Sequence, residues 1–188
     1  RQIEEDGFTI TKKVDMLVVG DTAKTITKSM GLGMIGFADV YDELKPDLLV
    51  VLGDRYELLA AASTALFANI PIAHISGGET TTGAFDEAIR HSITKMSWWH
   101  FVAADEYEKR VIQLGEDPKR VFNMGGLGVD TIKKTKLLTK KNLMAITGIK
   151  FARKNLLITY HPITLEFQTS QKHFQSLLDV LDVNKDVN

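Results

Sequence analysis

Between His74 and His91 the segment HISGGETTTGAFDEAIRH gathers two histidines, three carboxylates, one arginine and three glycines. Carboxylates and histidines exchange protons with a substrate when held within hydrogen-bond reach of it. An arginine holds an anion by charge-assisted hydrogen bonds. Gly77 and Gly78 let the backbone approach a ligand closely or adopt positive φ. Asp86 and Arg90 stand i, i+4 on one helix face, and Glu87 and His91 on the adjacent one. A plain surface helix also accounts for those two pairs, each worth about a few tenths of a kcal/mol. A flexible, solvated loop is the plainer reading of this turn and Thr80–Thr82 suit it, but the density of polar groups argues against it, so Glu79 is a candidate.

Three further turns carry polar or glycine-rich chemistry. In GDRYE, Asp54 follows an apolar run and either faces a cleft or caps the next helix; spacing alone favours the cap. GGLGVD (Gly125–Asp130) is a glycine-rich turn before a helix. It matches neither G-x-G-x-x-G nor a Walker A motif, and a tight turn is the simpler reading. In YHP, His161 ends an apolar run and is fixed by Pro162; a lone histidine there is more often structural.

The elements that must position these turns alternate in type. Val14–Gly20 reads as a strand or as the opening of a helix. Asp21–Lys45 reads as a long helix with Asp21 or Thr22 as N-cap, stopped by Pro46. Its Gly31, Gly33 and Gly36 weaken it and imply close packing against another element or a second subunit. Leu48–Leu52 is a continuous apolar run of the kind buried on both faces of a parallel sheet. RYELLAAASTALFANI is a helix, Pro71–Ile75 a buried strand, DEAIRHSITKMS a helix, WWHFVA a strand and DEYEKRVIQLGE a helix with Gly115 as its stop. PKRVFNMG and LGVDTIKK add another strand and helix. This pattern predicts an α/β fold, a Rossmann-like doubly wound parallel sheet whose ligands bind beyond the carboxyl ends of the strands. Residues 1–135 form that domain. The Lys-rich residues 136–154 form a linker with a short helix. Residues 155–188 open a second α/β unit with the buried strand NLLITYHP and the helix SQKHFQSLLDVL.

Composition excludes several classes. The 188 residues carry a formal charge of −1, so no basic excess points to nucleic acid and no charged tail to a membrane surface. There is no cysteine, which removes disulfides, thiolate metal sites and cysteine nucleophiles and fits a cytoplasmic protein. No apolar run approaches the roughly 20 residues of a membrane span.

Three stretches carry a resemblance. LKPDLLVVLGDRYELLAAA, IPIAHISGGETTTGAFDEAIRHSITKMS and LLITYHPIT together resemble the UDP-N-acetylglucosamine 2-epimerase family, most closely its hydrolysing, sialic-acid-pathway branch. The resemblance runs from about Ile3 to Leu178. It implies that the chain is the N-terminal part of a GT-B architecture of two Rossmann-like domains with a nucleotide-sugar cleft between them. It implies that the family's first strand lies before Arg1 and most of its second domain after Asn188. It also implies a homodimer or homotetramer and a reaction without metal or redox cofactor. In that reaction the C2 proton and UDP leave an N-acetylhexosamine together. The resulting glycal is then reprotonated at C2 from the other face as water adds at C1. For UDP-N-acetylglucosamine the products are N-acetylmannosamine and UDP. The resemblance assigns Asp54, Glu79, Asp86 and His161 to catalysis and Arg55, Gly77, Gly78, Arg90 and His91 to substrate binding.

One position departs from the pattern. Many relatives hold a glutamate where this chain has Ser76, and a serine cannot act as a carboxylate base. The resemblance leaves Glu79 to supply that group, or points to a different nucleotide sugar. Two other readings stay open: a non-hydrolysing epimerase, and a nucleotide-sugar-binding domain that has lost the chemistry.

Overall fold

A computed structural model describes residues 2–162 and 169–184. Its elements follow the chain as α1 (Gln2–Glu5), α2 (Ala23–Leu44), β1 (Leu49–Leu52), α3 (Tyr56–Phe67), β2 (Ile72–Ile75), α4 (Asp86–Met96), β3 (Trp99–Val102), α5 (Asp105–Gln113), β4 (Val121–Asn123), α6 (Leu127–Lys134), α7 (Lys140–Thr147) and α8 (Ser170–Val183). The four strands are parallel in the order β1-β2-β3-β4, with Val51 opposite His74 and His74 opposite His100. Each crossover is a helix, as parallel pairing requires. The α/β, Rossmann-like expectation is thus met.

The chain divides into two compact units. The first holds residues 1–81 and 86–126; the second holds residues 82–85 and 127–188. The first contains the whole sheet. Its main core joins Tyr41, Val51, Ala62, Ala65, Ile70, Ile72 and Ile93, with Phe37, Leu58, Leu59 and Met96 packed around it. A smaller core under β3 and β4 joins Val102, Val111 and Val121. In the second unit, α7 is capped by Thr139 at its start and by left-handed Gly148 at its end.

Local signals mark some element ends. Thr22 accepts from the backbone of Thr25 and opens α2. Gly115, at φ +96, ends the turn after α5.

Three expectations are corrected. Val14–Gly20 is neither strand nor helix. Instead it lies along α2, where Val14 and Met16 fill the notches left by Gly36 and Gly33, and Val18 donates to Ser29 Oγ at 2.9 Å. A Cβ on Gly36 would lie 2.6 Å from Val14 Cγ1. Close approach at two of the three glycines therefore serves this segment, not a second subunit. Second, the run Leu48–Leu52 is not buried on both faces. Val51 points into the core, whereas Val50 and Leu52 are more than half exposed, because among the described residues β1 is an edge strand whose other face no helix covers. Third, NLLITYHP forms no strand. Leu157 is fully exposed, and among the described residues of the second unit there is no strand for it to pair with. The end of the LLITYHPIT motif, Ile163 and Thr164, lies outside the described residues.

Candidate active site

The carboxyl ends of β1 and β2 bring the first unit's candidate residues together. Gly53, at φ +92, turns the chain out of β1, and Asp54 follows it. Ser76 turns the chain out of β2 at φ +65, an uncommon conformation for a residue with a side chain, while its N–H donates to Phe101 O at 2.9 Å. The chain then doubles back through Gly77 and Gly78 to α4, which opens with Asp86 and Glu87. A Cβ on Gly78 would sit 2.4 Å from Tyr107 O, and a Cβ on Gly77 3.2 Å from both His74 Nδ1 and Thr94 Oγ1. Gly78 is therefore required by close backbone packing and its positive φ, whereas Gly77 sits in tight contact with two side chains. Arg110 donates to Gly78 O and ties the turn to α5.

Arg90 is the hub. Its guanidinium forms an ion pair with Asp54, donates to Glu79 O at 2.8 Å and to Thr81 Oγ1 at 2.9 Å, and is 5% exposed. This removes the capping reading of Asp54. The residue preceding α3 is Arg55, which makes no side-chain cap, and the Asp54 carboxylate turns to Arg90 instead. It also removes the helical Asp86–Arg90 pair, since the arginine is taken by a partner 36 residues away. The other helical pair forms: His91 Nε2 lies 3.9 Å from Glu87 Oε1, and Glu87 also accepts from Thr81 N at 2.7 Å. Arg90 Nε and His91 Nδ1 are buried and have no hydrogen-bond partner among the described residues.

Charge around Asp86 is uneven. Its carboxyl is pushed above its ordinary value, chiefly by burial and then by the negative charge of Asp54, with Arg55 and Arg90 opposing. Arg55 is exposed on this rim and pairs with Glu57 at 3.2 Å. Glu79 contributes its carbonyl to Arg90 and keeps a partly exposed side chain. The first unit thus assembles Asp54, Arg55, Gly77, Gly78, Glu79, Asp86, Arg90 and His91 along consecutive turns of one rim. His161 is exposed and belongs to the second unit. Among the described residues no three His, Asp or Glu side chains converge as a metal site.

Sequence reasoning counted His74 among the titratable groups but gave it no role, and it missed Thr94. His74 is fully buried, with Nε2 2.8 Å from Gly53 O and Nδ1 3.1 Å from Thr94 Oγ1. The available signal was a histidine inside an apolar parallel strand, where burial demands that both ring nitrogens be satisfied.

A family profile described as UDP-N-acetylglucosamine 2-epimerase matches residues 1–188. The chain belongs to that family. Among curated members it is 46% identical over 188 residues to the hydrolysing GDP/UDP-N,N'-diacetylbacillosamine 2-epimerase of Campylobacter jejuni, covering 100% of this chain and 49% of that one. It is 39% identical over 186 residues to polysialic acid biosynthesis protein P7 of Escherichia coli, covering 99% and 47%. Among solved structures, the UDP-GlcNAc 2-epimerase of Methanocaldococcus jannaschii in complex with UDP-GlcNAc and UDP shares the fold. The TM-score is 0.72 at 21% identity, with 99% of this chain and 59% of that one covered. This likeness bears out the fold expected for the N-terminal part of a GT-B architecture. The chain spans about half the length of the curated epimerase relatives it matches.

Proposed function

We propose that the full-length protein is a hydrolysing 2-epimerase of a UDP-linked N-acetylated hexosamine, releasing UDP and the free C2-epimeric sugar. The observation that carries this reading is the packing of Asp54, Arg90, Glu79 and Asp86 at one sheet rim in a chain of the 2-epimerase family.

The chemistry needs a group that accepts a proton at C2 and a group that returns one. Asp54, fixed by Arg90, serves as the standing carboxylate. Asp86, whose carboxyl is raised by burial and by Asp54, is suited to carry the proton. The C2–H electron pair forms the C1–C2 double bond as the C1–O bond breaks, and that bond's electron pair leaves with UDP. Protonation at C2 from the opposite face and addition of water at C1 complete the turnover. Glu79 lies on the same turn and supplies the carboxylate that Ser76 does not. Arg55 and His91 serve substrate binding, Gly77 and Gly78 shape the turn that carries Glu79, and His161 serves the leaving group as the family resemblance implies. A homo-oligomer in the cytoplasm is part of this proposal.

The sugar follows from similarity. The 46% identical relative is named for a diacetylated sugar, which favours a 2,4-diacetamido hexose over N-acetylglucosamine as the preferred substrate. Full-length protein incubated with UDP-N,N'-diacetylbacillosamine and, separately, with UDP-N-acetylglucosamine tests this. Release of UDP with free epimeric sugar is expected, faster with the first. A UDP-linked epimer would make the protein a non-hydrolysing epimerase, and binding without turnover a nucleotide-sugar-binding protein.

A further inference from the structure

We infer that His74 is a positioning residue that sets the Asp54–Arg90 pair in register by bridging the two elements that carry it. The inference rests on the catalytic reading of that pair given above.

The geometry is specific. The Gly53 carbonyl can only accept, so Nε2 of His74 carries the ring hydrogen and donates to it over 2.8 Å. Nδ1 is then the acceptor for the Thr94 hydroxyl at 3.1 Å. Gly53 immediately precedes Asp54. Its N–H is also held by β2, through Ile75 O at 3.0 Å, so both backbone polar groups of Gly53 are held by the neighbouring strand. Thr94 lies one turn after Arg90 on the same face of α4. The ring therefore ties the backbone beside the carboxylate to the helix that carries the guanidinium. Gly77 leaves room for the same contact, since a Cβ there would meet both His74 Nδ1 and Thr94 Oγ1 at 3.2 Å. Burial holds the ring neutral, its pKa pushed down to about 4, which suits one donor and one acceptor.

Two variants of similar polarity separate positioning from bulk packing. Gln at this position places an amide N–H where Nε2 stood and an amide oxygen beside it. Asn is one carbon shorter and cannot span from Gly53 to Thr94. In the full-length protein, with UDP release from UDP-N,N'-diacetylbacillosamine as the assay, His74→Asn should lower kcat by about 10²-fold with KM nearly unchanged. His74→Gln should recover kcat to within about tenfold of wild type. Equal kcat for Asn, Gln and wild type in folded proteins would overturn the proposal. So would an equal loss in Asn and Gln.

A thermal-melting cycle keeps the test independent of turnover. If His74 sets the pair, the melting-temperature loss from Asp54→Asn should be clearly smaller in the His74→Asn background than in wild type, whereas additive losses would contradict it. Should wild type release no UDP while the cycle shows coupling, the functional reading fails and the positioning claim stands. Should UDP be released while the cycle is additive, the reverse holds.

Discussion

Asp86 and Asp54 interact at a distance set by the turns of two different elements, so each reports on the other. Removing the Asp54 charge takes away one of the two causes that raise the Asp86 carboxyl and leaves Arg90 to act on it. In Asp54→Asn the Asp86 carboxyl, followed by 13C NMR, should titrate at lower pH than in wild type. The same variant should remain folded by circular dichroism, lose stability because Arg90 is buried beside a neutral partner, and lose at least about 10²-fold in kcat. Glu79→Gln should lower kcat by about 10²-fold with little change in nucleotide-sugar affinity. A wild-type rate would return Glu79 to the role of a loop residue. His74 adds a pH term. Its native pKa of about 4 lies below the ordinary 6.5, so between those values the unfolded chain binds more protons than the native one. Stability should therefore fall as pH drops from about 6.5 to about 4, by at most roughly 3 kcal/mol from this residue. Melting temperatures of His74→Gln across that range should decline less steeply than those of wild type.

At the scale of elements, the turn after β2 depends on Gly78. Its φ of +78 and the closeness of Tyr107 O to where a Cβ would stand mean that a side chain must displace backbone, not a flexible tip. Gly78→Ala should cost more than about 1 kcal/mol, seen as a lower denaturation midpoint with an unchanged m-value. The elements of the first unit from α2 to β4 were legible because apolar runs alternate with amphipathic stretches bounded by Gly, Pro and caps. What failed to read correctly shares one cause: whether an apolar run pairs depends on what lies beside it. Val14–Gly20 packs on the glycines of α2, and Leu156–Tyr160 finds no strand among the described residues. The candidate rim was legible because parallel topology places every strand-to-helix turn at the same edge. The choice of Asp54 as the partner of Arg90, and the clasp of His74 on Gly53 and Thr94, were not. They join residues 36, 21 and 20 positions apart, and no local pattern encodes such contacts.

For the whole molecule, the central claim is that a proton is removed from and returned to C2 of a UDP-linked sugar that ends as a free epimer. The chain spans about half the length of the curated epimerase relatives it matches, so the claim concerns the full-length protein. No helix among the described residues is long and apolar enough to cross a membrane. The most direct measurement is turnover of UDP-N,N'-diacetylbacillosamine in D₂O, with the released sugar examined by proton NMR. The account expects one equivalent of UDP, a free sugar epimeric at C2, and solvent deuterium at that carbon. A product that retains the original C2 hydrogen would contradict it.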